Sequence, residues 1–211
     1  MPKPYIFENR AELVQALQNS ETLTSAQSFF ADRIPTIAAV VHKGVASNTF
    51  RAFRKLPVRP SVAFRTWTEQ RVEQTLADVL AATDGTSYAT YVHNTTLALV
   101  EYWREATVSE MGYGRGAKLL NLVLKKLACY STLTEQQRYG LINVLHVPLD
   151  SYTIVGLRNV APQFRIPKSA TMKFITTPAQ YSEFQTFIAG IALEARVPPI
   201  YYDILAWDQA H

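Results

Sequence analysis

Three of the chain's eight glycines, Gly112, Gly114 and Gly116, fall within five residues, and Lys118 follows two positions later at the head of a leucine-rich run. Glycine lets a second backbone or a phosphate come close, and the amides that open a helix favour an anion, so the segment offers phosphate contact. It is not a Walker loop. The lysine follows Ala117 rather than the second glycine, no Ser or Thr comes after it, and the preceding Val100 to Ser109 reads as helix. A dinucleotide-binding fingerprint fails on the same missing strand. Cations are concentrated here and at one other place. Arg51 to Arg71 holds six against Glu69, and Arg115 to Lys126 holds four with no acid, so the rest of this +4 chain sums to −5. Such clustering is the footprint of a polyanion partner or of a solvated helix face.

The elements that must carry these residues read as helices. With 48% hydrophobic and 18% charged residues in 211, the chain can bury a core, and fibrous or disordered classes are excluded. Asn9 precedes an amphipathic run from Arg10 to Leu17 and can cap it. Leu23 to Phe30 is a second short run. Ile34 to His42 suits a buried helix or a strand, with helix favoured, and Gly44 to Pro60 reads as irregular backbone. Val72 to Leu80 recurs at helical spacing until Asp84-Gly85 stops it, and Tyr88 to Trp103 forms the next run. Leu119 to Cys129 is the clearest helix, and Thr132 with Glu135 makes a capping box for its successor. Pro148 and Asp150 introduce Ile154 to Leu157. Thr177-Pro178 opens a long helix to Glu194, and Pro198-Pro199 opens a last one through Trp207. The sequence predicts an all-α fold of eight to ten helices in one compact domain over residues 1–211, with two lobes as a variant of it.

A helix, a short glycine-rich hairpin and a second helix whose first turn carries Lys118 is the arrangement of the helix-hairpin-helix DNA glycosylases. Gly114-Arg115-Gly116-Ala117-Lys118 resembles their run of alternating glycines before the catalytic lysine of the bifunctional members. His146-Val147-Pro148-Leu149-Asp150-Ser151 resembles the approach to their helix-capping aspartate. The 32-residue separation of Lys118 and Asp150 is similar to that of the archaeal 8-oxoguanine glycosylases, and Asp203 with Trp207 is similar to an acid and a tryptophan those enzymes place around the flipped base. The likeness covers mainly residues 105 to 160. It departs at Met111-Gly112-Tyr113, where the family usually shows Leu-Pro-Gly.

The resemblance implies Lys118 as a Schiff-base nucleophile and Asp150 as its electrostatic partner. It further implies DNA contacts from Gly112, Gly114, Arg115, Gly116 and Lys125, and a base pocket at Asp203 and Trp207. The physics suits these roles. A flipped base needs a stacking platform and edge hydrogen bonds. A lysine nucleophile must be neutral, its pKa brought down from about 10.4. An aspartate at a helix N-terminus stays ionised and stabilises a cationic sugar. Each residue also has a plainer reading. Lys118, Asn121 and Lys125 form one polar stripe, and most such stripes are solvated. Asp150 is a helix cap, Trp207 a core residue, and the glycines permit close helix crossing.

No metal site is expected, because His42, His93, His146 and His211 lack ligand spacing, and no cofactor is implied. His146 suits a local hydrogen bond. Cys129, the only cysteine, reads as a buried small hydrophobe and allows no internal disulfide. A cytoplasmic home is expected, nucleoid-associated in a prokaryote. No secretory segment is expected at the N-terminus, and no apolar run approaches the roughly 20 residues of a membrane span. Two functions stand: a base-excision glycosylase, with or without lyase activity, removing an oxidised purine such as 8-oxoguanine from duplex DNA, and a non-catalytic helix-hairpin-helix module binding nucleic acid or protein.

Overall fold

The computed structural model describes residues 3–46, 49, 50, 53, 56 and 58–210. Arg51, Arg54 and Lys55 of the first basic stretch, and His211, lie outside the described residues. The fold is all-α, with eleven α-helices among the described residues: α1 Arg10–Gln18, α2 Ser20–Ala31, α3 Ile37–Gly44, α4 Pro60–Gln74, α5 Leu76–Ala81, α6 Gly85–Thr107, α7 Tyr113–Leu127, α8 Glu135–Val144, α9 Ser151–Gly156, α10 Pro178–Ala195 and α11 Tyr201–Asp208. The β-like pairing among them is one parallel bridge between Ile34 and Tyr130. None of these helices is long and apolar enough to cross a membrane.

Local chemistry sets most helix starts. Asn9 accepts from the Glu12 amide to cap α1, and Thr177 accepts from the Gln180 amide ahead of Pro178 to cap α10. Asp84, expected only to stop a helix, also starts one: its side chain accepts from the amides of Thr86 and Ser87 and opens the 23-residue α6. The capping box before α8 is built by Thr134 and Gln137, not by Thr132 and Glu135. Leu133, between the two threonines, is buried, and the helix starts at Glu135 itself, which places the cap at Thr134. Ile34 to His42 divides, Ile34 pairing with Tyr130 and the helix beginning only at Ile37 after the Thr36 cap.

Helix α7 is the axis of the fold. Leu119, Leu120, Val123, Leu124 and Leu127 are all buried on it, each contributing about 1.5–3 kcal/mol through removal from water. α3, α6 and α10 pack around it. It begins at Tyr113, six residues before the expected Leu119, so Gly114 and Gly116 are helical. Tertiary packing overrides their poor helix propensity. A Cβ on Gly114 would lie 2.5 Å from the Met172 carbonyl oxygen and against that of Ile175, the two flanking a 3-10 turn at Met172–Phe174. A Cβ on Gly116 would lie 3.2 Å from Val100 on α6. The hairpin proper is therefore Val108 to Gly112. Val108 closes α6 in the left-handed region at φ 51°, a conformation costly for a β-branched residue.

Candidate active site

The site grows from one face of α7. Lys118 and Lys125 are seven residues, two turns, apart and so stand above one another, with Asn121 between them. Because α7 starts at Tyr113, Lys118 occupies its second turn rather than its first. The stripe is not solvated. Asn121 is fully buried, and the two lysine side chains each keep 13% of their surface.

Two aspartates from two short helices face these lysines. Asp150 caps α9. One carboxylate oxygen accepts from the amides of Tyr152 (2.9 Å) and Thr153 (3.3 Å), while the Thr153 hydroxyl accepts from the Asp150 amide (2.9 Å). Its other oxygen, Oδ2, lies 3.4 Å from Lys118 Nζ. Capping and charge pairing are thus divided between the two oxygens of a single side chain. Asp203, in the first turn of α11, holds Lys125 Nζ at 2.5 Å. Burial pushes the Asp203 carboxyl above the usual carboxylate range; the charge of Asp150 adds to this, and Lys125 and Lys118 pull it back. The four groups therefore sit in one another's field, two cations against two anions. The Tyr202 hydroxyl donates to the Thr153 carbonyl oxygen at 2.7 Å and ties α11 to α9.

One turn beyond Asp203 stands Trp207, which keeps about half its surface (53%) and meets Tyr152 edge to face at a centroid distance of 5.5 Å. The Tyr152 amide is bonded to Asp150, so the aromatic pair is tied through the α9 backbone to the aspartate that faces Lys118. Trp207 is not a core residue.

The structure brings together Lys118, Asp150, Lys125, Asp203 and Trp207, and gives the remaining sequence candidates other surroundings. Gly114 and Gly116 are buried packing positions, and the carbonyl oxygens facing Gly114 would repel a phosphate there. Gly112 is exposed and opens α7, its carbonyl accepting from the amides of Arg115 and Gly116. The Arg115 guanidinium lies 5.2 Å over the Phe53 ring. Lys125, expected at phosphate, is instead committed to Asp203 and lies 4.5 Å over the Phe29 ring. The Lys125–Asp203 pair itself was not anticipated. Its signal was present: a leucine-rich helix with two lysines and no acid must borrow its counter-ions from elsewhere in the chain once that face is buried.

Behind the stripe lies a second polar network, which residue spacing alone does not reveal. The Asn121 amide donates to the Ala117 carbonyl (2.8 Å) and the Tyr181 hydroxyl (2.7 Å), and Tyr181 meets His146 Nδ1 at 2.9 Å. His146 thus finds its partner on α10, 35 residues away, rather than locally. Burial lowers the imidazole to about 4 and keeps it neutral. Cys129 is buried, and burial raises its thiol. Among the described residues no group of His, Cys, Asp and Glu is placed to hold a metal ion. No protein-family model, no curated protein and no solved structure matches this chain.

Proposed function

We propose that the chain is a DNA N-glycosylase of helix-hairpin-helix type that removes an oxidised purine such as 8-oxoguanine from duplex DNA, with Lys118 as nucleophile and Asp150 as its electrostatic partner. The observation that carries the reading is the approach of Lys118 Nζ to 3.4 Å from the second oxygen of a helix-capping Asp150, on a helix whose buried Tyr152 packs against the half-exposed Trp207. In this reading the extruded base stacks at Trp207. Lys118, having given up a proton, donates its lone pair to C1′ of the deoxyribose. The glycosidic electron pair leaves with the base, which takes up a proton. One of the two protons on the attached nitrogen passes to O4′ as the C1′–O4′ bond breaks, giving the protonated imine, whose β-elimination expels the 3′ phosphate and nicks the strand. The Asp150 carboxylate, held in place by two amides, stabilises positive charge as it develops on the sugar.

The second pair suits recognition. A carboxylate beside an ammonium offers one acceptor and one donor, and oxidation of guanine at C8 adds one donor, N7–H, and one acceptor, the C8 oxygen, side by side. A buried pair discriminates, because a base without N7–H and the C8 oxygen cannot repay the cost of drawing each group from its partner at 2.5 Å.

One observation favours a second reading. Lys118 and Asp150 keep only 13% and 18% of their side-chain surface, the geometry of a purely structural ion pair, and a protein so built would be a binding module without chemistry. Borohydride trapping on a duplex carrying a single 8-oxoguanine, with the native chain and Lys118→Gln in parallel, separates the two. The glycosylase/lyase reading expects a covalent band that Lys118→Gln abolishes while duplex binding persists. Nicking undiminished in Lys118→Gln overturns the assignment of the nucleophile. Retention of the duplex with no covalent band selects the module. Asp150→Asn keeps an oxygen for the α9 cap but loses the charge, and is expected to lower the rate more than about tenfold.

A further inference from the structure

Away from the lysine stripe, a cleft of about 750 Å³ opens between α6 and α10. Its walls are small side chains at helical spacing: Thr86, Ala89 and Thr90 on α6, and Ser182, Thr186 and Ala189 on α10. Its floor is aromatic. His93 touches Tyr113 (ring centroids 5.9 Å), Tyr113 touches Tyr181 (5.7 Å) and Tyr181 touches His146 (5.6 Å), so four rings follow one another across it. The Tyr113 hydroxyl is paired with His93 Nδ1 at 3.2 Å and the Tyr181 hydroxyl with His146, so floor polarity is largely satisfied within the protein.

Charge narrows what such a cleft can take. No Asp, Glu, Lys or Arg lines it. Burial raises the Tyr113 hydroxyl to about 12 and lowers the His146 imidazole to about 4, so both are neutral near pH 7. The first amides of α6, the place where an anion would dock, already donate to the ionised Asp84 carboxylate, which also sits next to Gly85 at the rim. An anionic ligand would find no lysine or arginine in the lining and one carboxylate at the rim. A ring system would find aromatic side chains below, inclined at 41–71° to one another and so offering both edges and faces, and hydroxyl groups around it. A mostly apolar cleft of this size with a few convergent polar groups is the usual form of a small-molecule site.

We propose that the cleft between α6 and α10 binds a neutral, planar heteroaromatic molecule of nucleoside size, at a site separate from the Lys118–Asp150 cluster. Isothermal titration calorimetry of the full chain with adenosine, thymidine and adenosine 5′-monophosphate tests it. At least one nucleoside is expected to bind at a single saturable site, and the monophosphate about tenfold more weakly than adenosine or worse, since its charge has no partner in the lining. Thr186→Trp, at an exposed wall position that the fold tolerates, and Ala189→Trp fill the cleft and are expected to abolish binding. Lys118→Gln and Trp207→Ala leave it unchanged. The proposal is overturned by absence of saturable heat with both nucleosides up to about 10 mM, a ceiling near the weakest specific affinities. It is equally overturned by binding that survives both tryptophan variants, by a monophosphate that binds as well as adenosine, or by loss of binding in Trp207→Ala. The Lys118→Gln arm keeps failure here distinct from failure of the glycosylase reading.

Discussion

Breaking either half of the Lys125–Asp203 pair is expected to cost far more than replacing both halves. At an effective dielectric constant of about 20, unit charges 2.5 Å apart attract by roughly 6–7 kcal/mol. With side-chain exposures of 13% and 11%, desolvation of the two ions offsets most of that, at several kcal/mol each, so the intact pair is close to neutral for stability. Lys125→Met leaves the Asp203 carboxylate buried without its cation, and Asp203→Leu leaves the ammonium stranded over Phe29. Each single variant is expected to lose about 3–5 kcal/mol. The double variant, carrying no buried charge at this point, is expected to recover most of that loss. Urea unfolding of the native chain, both single variants and the double variant at one pH supplies the four free energies of the cycle. A coupling of more than about 3 kcal/mol is expected, near the upper end for residues in contact. Additive losses, with coupling under about 1 kcal/mol, would show the two charges to be solvated and refute the picture of a buried cluster.

Three further outcomes follow from packing, backbone and burial. Gly114→Ala drives a methyl group into the Met172 and Ile175 carbonyls and is expected to cost about 3 kcal/mol, whereas Gly112→Ala, with open space at the same offset, changes stability by under about 0.5 kcal/mol; thermal melts of both variants check the contrast. Val108→Gly relieves a left-handed β-branched residue whose side chain is 90% exposed, and is expected to raise the unfolding free energy by about 0.5–1 kcal/mol, net of glycine's greater chain entropy. His146 has its folded value lowered to about 4 from 6.5, so its neutral form favours the folded state: stability is full above pH 6.5 and falls as pH drops toward 4, by about 3 kcal/mol in all. In His146→Gln that part of the acid slope should vanish, as urea titrations at pH 7, 6 and 5 would show.

Much of this fold was written in local signals. Asn9, Thr177-Pro178 and Asp150 each start the helix their residue type foretells, because a cap needs only a side-chain oxygen and the next few amides. Burial was harder to read. The lysine stripe of α7 has the pattern of a solvent-facing edge, and only the docking of α9 and α11 encloses it, a long-range event that periodicity does not encode. The same limit applies to the glycines: their spacing announced a close approach, but whether a phosphate or the 3-10 turn at Met172–Phe174 came close depended on residues some sixty positions away. Asp203 and Trp207, four residues apart in sequence, differ in burial as their spacing alone does not show: one is sunk against Lys125 and the other stands half in solvent.

The division of labour within Asp150 has a further consequence. A carboxylate free to rotate must be turned and dehydrated each time a positive charge forms before it, and that reorientation slows any process that depends on it. Here two amides grip one oxygen, so the other cannot swing away without unravelling the first turn of α9. The part of the electric field at Lys118 that comes from Asp150 is therefore fixed by the folded backbone rather than by a mobile side chain.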